Sequence, residues 1–193
     1  MALENAAFVD GLVITNPTGS DSISQGDDHI RLIKKVLKAT FPDADAAQSL
    51  FPPSGFCASL TAGSLASGST DKMPFGTEDF DIKGEYDNSL YRFTPTVAGK
   101  YYIYHSLTVV SPYSVSDYAK TLQTSIHKNG SEFKTLTLNM FPYNANNEFG
   151  SSVGVIAASN GTDYWEPFAY QNSGSSVTTV GGTTSNFMAI RVA

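Results

Sequence analysis

Gly150-Ser151-Ser152-Val153-Gly154 has the G-x-S-x-G spacing of a nucleophile elbow, where a tight strand-to-helix turn lifts a serine hydroxyl for attack. The elbow needs a helix after it, whereas the following VIAASNG reads as a short strand ending in a turn. No catalytic serine is expected there. Glu78, Asp79, Asp81, Glu85 and Asp87 form an acidic run that could chelate calcium or supply the two carboxylates of a glycosidase. Lys83 stands where a calcium loop of the EF-hand type needs an oxygen ligand, so a solvated acidic edge is the expectation. His29, His105 and His127 show no metal-ligand spacing. His105 falls on the core face of its strand and is expected to be hydrogen-bonded there. Asp27-Asp28-His29 looks like a ligand triplet, but capping of a helix accounts for it. No phosphate loop or dinucleotide fingerprint is present, so no catalytic residue, cofactor or metal is expected.

Composition removes other classes. The formal net charge of −6 would repel phosphates, which argues against nucleic acid as a partner. Cys57 is the only cysteine, so neither an internal disulfide nor a thiolate zinc site can form. The first residues, MALENAAFVDGLVITNPTG, lack the basic region and long apolar run of a signal peptide. No stretch approaches the roughly 20 apolar residues of a membrane-spanning helix, so membrane insertion is not expected. Synthesis in a cytoplasm without export follows from the same features, and it leaves the sequons at Asn129 and Asn160 without meaning.

The elements divide the chain into three. In an N-terminal segment, 1–50, the run SDSISQGDDHIRLIKKVLKATFPDAD reads as one amphipathic helix. Ser24 and Asp27 have capping-box spacing, and Asp27 and Asp28 lie at the positive end of the helix dipole. Lys34, Lys35 and Lys38 lie towards its negative end, and Pro42 stops it. Ile30, Ile33, Leu37 and Phe41 make an apolar stripe that must dock on something, because so short a helix is unstable alone. A Ser/Gly-rich run, 51–71, reads as a flexible connector, or as extended chain anchored on a partner by Phe56, Leu60 and Leu65. From 72 to 193, β-branched and aromatic runs separated by turn residues predict strands at 89–94, 100–110, 118–127, 133–141, 152–158, 164–170, 176–180 and 187–192. Asn129-Gly130 predicts a tight hairpin. The fold class is mainly β, an antiparallel jelly-roll sandwich.

Strands of such a sandwich should be apolar on one face only. In GKYYIYHSLTVV, Tyr101, Ile103, Leu107 and Val109 form a core face, yet Tyr102 and Tyr104 on the other face are also large. YWEPFAY likewise carries Phe168 and Tyr170. Two-sided bulk in a small domain predicts a subunit interface holding Tyr102, Tyr104, Phe168 and Tyr170.

Two resemblances follow, one in each half. ITNPT with GSDSISQGDDHIRLIKKVLKATFPD resembles an N-terminal segment of tail-fibre and other virion proteins of tailed bacteriophages. The Q-G-D-D-H-I-R-x-I-K core and the closing T-F-P carry the match. It implies attachment to the particle through Asp27, Asp28, His29, Ile30, Arg31, Ile33, Leu37 and Phe41. MPFGTEDFD, YDNSLYRFTPTVAGKYYIYHSLTV, SIHKNG, GTDYWEPFAYQNSG and NFMAIRV are similar to the jelly-roll heads of the tumour-necrosis-factor and complement-globular-head superfamily. Phe93, Pro95, Gly99, Tyr101, Gly161, Asp163 and Phe187 stand at that family's positions, with Thr162 as an extra residue in one turn. That resemblance implies a homotrimer with an aromatic-lined axis. Together they imply a virion structural protein, a short trimeric tail fibre in contact with other virion proteins and with host-surface glycan. The alternatives are a capsid decoration protein and a polysaccharide depolymerase.

Overall fold

The computed structural model describes residues 5–15, 26–41, 54–111, 120–139 and 147–192. The chain divides into two units, Met1–Pro52 and Pro53–Ala193.

In the first unit the predicted helix is present as α1, Gly26–Thr40. It packs by a face the apolar spacing did not indicate: its buried residues are His29 and Val36. Ala6 is buried in the same unit, and the backbone N–H of Val9, in the 3-10 turn Val9–Gly11, donates to the Thr40 hydroxyl at 2.9 Å. Ile30, Ile33 and Leu37 remain exposed, at 55%, 43% and 43%. Arg31 bridges to Asp27 at 2.8 Å and Asp28 at 3.1 Å, both well solvated and each contributing little. Ser24 and Pro42 lie outside the described residues.

Alternating burial builds the second unit into two packed sheets. The strands are β1 Gly55–Leu60, β2 Gly63–Leu65, β3 Thr70–Lys72, β4 Thr77–Asp81, β5 Tyr86–Asp87, β6 Arg92–Phe93 and β7 Ala98–Ser111. There follow β8 Thr121–Lys128, β9 Ser131–Asn139, β10 Asn147–Asn160, β11 Trp165–Gln171, β12 Val177–Val180 and β13 Gly182–Arg191. One sheet runs β2-β12-β7-β13-β1-β4, with β10 along the other side of β7; the second runs β5-β6-β11-β8-β9, with β3 on β11. Every named strand pairing is antiparallel. Phe56, Phe75, Phe93, Tyr101, Trp165 and Phe187 fill the space between the sheets. This is the jelly-roll sandwich that the strand pattern predicts.

The expected connector is a correction. Phe56, Ala58 and Leu60 alternate inward from β1, which pairs with β13 on one side and β4 on the other. Phe56 stacks on Tyr86 at 4.2 Å and Phe93 at 4.8 Å, and Leu65 on β2 is also buried. The three residues are anchors, but into their own domain. Small Ser, Gly and Ala between them gave an interior strand the composition of a linker.

Two turns behave as their chemistry requires. Asn129 and Gly130 take φ of 53° and 79° and join β8 to β9 as the expected tight hairpin. Thr162 is absorbed: the Asn160 side-chain oxygen accepts the N–H of Thr162 and of Asp163, each at 2.9 Å. Asp163 in return accepts the Asn160 N–H at 3.0 Å.

Candidate functional site

The residues that suggested catalysis are committed elsewhere. Gly150 to Gly154 lie inside β10, so no strand-to-helix turn presents Ser152. Ser151 faces the interior, with its hydroxyl 3.0 Å from that of Thr124. In the acidic run, Asp81 accepts the backbone N–H of Lys83 and Tyr86, and Asp87 those of Ser89 and Leu90. Glu85 is buried and takes the hydroxyls of Ser54 and Thr96. These carboxylates hold loops in shape. Among the described residues no group of three or more His, Cys, Asp or Glu is placed to hold a metal ion.

His105 is on the core face as expected, edge-on to Phe75 at 5.3 Å, and its ring makes no hydrogen bond of good geometry, only a weak one with the Ser125 backbone. Burial pushes its pKa down to about 3, with only the Ser125 backbone opposing.

What the fold does assemble is an apolar surface. Registry aligns two neighbouring cross-strand rows on the solvent face of the first sheet: Ile156, Tyr102 and Ile190, then Gly154, Tyr104, Met188, Cys57 and Phe80. Ile156 is 62% exposed, with Phe80 and Ile190 about half exposed. The Tyr102 and Tyr104 rings lie 6.4 Å apart, nearly parallel. Gly154 gives Tyr102 room to lie flat, since a Cβ there would sit 2.8 Å from its hydroxyl. Cys57 belongs to this face but is no nucleophile, because burial first and Asp79 second push its thiol up to about 11.

A second apolar surface lies where β9 and β10 meet across the sandwich. Leu136 stands opposite buried Thr124 and so faces the interior, yet it is about half exposed because the sheets do not close over it. Phe149 and Val155 pack partly against the core from β10.

Phe168 and Tyr170 sit apart from both surfaces, on the outer face of the second sheet. Phe168 stacks on His127 at 3.9 Å, with the Lys72 ammonium 5.8 Å above its ring. The four aromatics expected at one interface thus divide two and two. The sequence-based expectation also missed Ile156, Met188, Ile190 and Phe80. Alternation could have found Ile156, since Val153, Val155 and Ala157 take the inner positions of its strand. The others need cross-strand registry, which one sequence does not display.

No protein-family model and no curated protein matches the chain. Among solved structures it is similar to the Eiger tumour necrosis factor of S. frugiperda, 6% identical, covering 74% of this chain and 94% of that chain at a TM-score of 0.54. The globular domain of the zebrafish complement 1qA protein is 11% identical, with 72% of this chain and 97% of that chain covered at a TM-score of 0.48. At 6% identity the first likeness establishes the fold alone: the second unit is a tumour-necrosis-factor-like jelly roll.

Proposed function

We propose that this chain is a structural protein of a tailed-phage virion, a homotrimeric binding head held on the particle by its N-terminal unit and serving as a short tail fibre. The observation that carries the trimer is the coexistence of two unlike apolar surfaces on one jelly roll. Different patches cannot pair isologously, but they can join head to tail and close a ring. The edge around Leu136 and Val155 of one copy then covers the Tyr102–Tyr104–Ile156–Ile190 face of the next. The outer face of the second sheet, with Phe168 and Tyr170, stays free to meet host-surface glycan. No turnover is assigned to the head, since Asp81, Glu85 and Asp87 of its acidic run are occupied in holding loops.

Light scattering on the full chain should give three times the chain mass of 20.6 kDa. Ile156→Lys, at the centre of the face, should weaken the trimer by on the order of 2 kcal/mol or more. A monomer at micromolar concentration would remove the proposal.

The tail position is supported by the attachment resemblance of residues 14–43. One structural feature favours capsid decoration instead: residues 54–72 belong to the sandwich, which shortens the reach between anchor and head. Quantifying the chain against the major capsid protein in purified particles separates the two. A ratio far below one is expected for a fibre, and a ratio near one would place the protein on the shell.

A further inference from the structure

Ile30, Ile33 and Leu37 recur at intervals of three and four residues, the a, d and a positions of a heptad, with Thr40 at the next d. His29 and Val36, which α1 buries within its own unit, lie about 100° round the helix from Ile30 and Leu37, on the flank nearer Ile33 and Thr40. Packing within the unit takes up Thr40, whose hydroxyl accepts the Val9 N–H, and leaves Ile30, Ile33 and Leu37 exposed. Arg31, Lys35 and Lys38 fall at b and f positions, away from the seam, while Lys34 at e flanks it.

The size of the seam selects the occupant. A stable interface with a separate protein takes roughly 20–30 residues a side, and three side chains fall far short. Copies already joined through their heads meet at an effective concentration of order millimolar, where a small contact is enough. Isoleucine at both a and d favours more than two strands, and three-fold symmetry would set the helices parallel.

We propose that the α1 helices of three copies pack in parallel through Ile30, Ile33 and Leu37 as a short three-stranded collar. It rests on the trimeric reading above. Phe8 and Ile14, exposed in the same unit and outside the seam, remain available to the particle.

The test uses the full-length chain carrying Cys57→Ser and a single new cysteine at Ile33→Cys, with Leu37→Cys as a second seam position. After mild oxidation, both should give disulfide-linked pairs on a non-reducing gel. Lys35→Cys, at an f position, should give several-fold less. Light scattering on the same samples reports the head. A trimer in which seam cysteines link no better than Lys35→Cys overturns the collar and leaves the trimeric head standing. A monomer without cross-links overturns both.

Discussion

Acidification from pH 6.5 to 4.5 should cost the second unit about 2 kcal/mol of stability through His105, and His105→Leu should abolish most of the loss observed. His105 is fully buried, with Phe75 edge-on to its ring and Phe187 and Val153 as its cross-strand neighbours. An imidazolium there would have neither water nor a carboxylate to stabilise it, so the folded chain keeps the ring neutral down to about pH 3. The unfolded chain takes up its proton near the ordinary value of about 6.5. Between those values the unfolded state binds more protons, so stability falls as pH falls, by about 1.4 kcal/mol per unit. His127 is shifted the same way by burial, partly offset by Glu132 and Glu166, and accounts for a smaller remaining slope. Denaturant midpoints measured across the pH range at one protein concentration would decide it, fixed concentration being needed because an oligomer's stability depends on it. A slope unchanged by His105→Leu would mean that the native core accepts the proton.

The contrast between β7 and β1 explains what the sequence could disclose. Tyr101, Ile103, Leu107 and Val109 announce β7 by alternation, and all are buried. β1 has the same period in Phe56, Ala58 and Leu60, but its inner positions include an alanine and its neighbours are Ser and Gly, so the pattern is too faint to separate from a linker. A strand flanked by two others gains its stability from pairing, which local composition does not record. The helix shows the opposite failure. Its clearest apolar stripe is legible, yet the packing inside its unit falls on His29 and Val36, because the Ala6 and Val9 segment approaches that side. The interaction surface was half legible for a related reason: Tyr102 and Tyr104 stand out as large residues on an outer face, whereas Met188, Ile190 and Phe80 join them only through registry across four strands.

Replacing Glu166 should destabilise the second unit on the order of 3 kcal/mol for Glu166→Ala, and less for Glu166→Gln, which keeps its shape. Glu166 lies on the outer face of the second sheet but is almost fully covered, and one of its oxygens serves two cations. Lys72 of β3 donates to it at 2.7 Å, and Arg92 of β6 from Nε at 3.0 Å and Nη2 at 2.8 Å. The Arg92 guanidinium is held in turn over the Tyr164 ring, 3.9 Å from its centre. β3 and β6 are only three and two residues long and both pair with β11, so this carboxylate supplies much of what fixes them there. Removing it leaves two half-buried cations, with only Asp87 near Arg92 as a remaining counter-charge, which costs more than an exposed pair would. Burial alone would raise the Glu166 pKa, but the hydrogen bonds and charges of Lys72 and Arg92 outweigh it and hold the carboxyl below its usual range. Its contribution is therefore complete above the ordinary glutamate value and is lost only as pH falls through the lower folded one, a more acidic window than that of His105. Glu166→Gln should leave the loss between pH 6.5 and 4.5 largely intact and lower stability throughout that range. A cost under about 1 kcal/mol for Glu166→Ala would mean that the cluster behaves as a solvated surface pair and that β3 and β6 are held by backbone pairing alone.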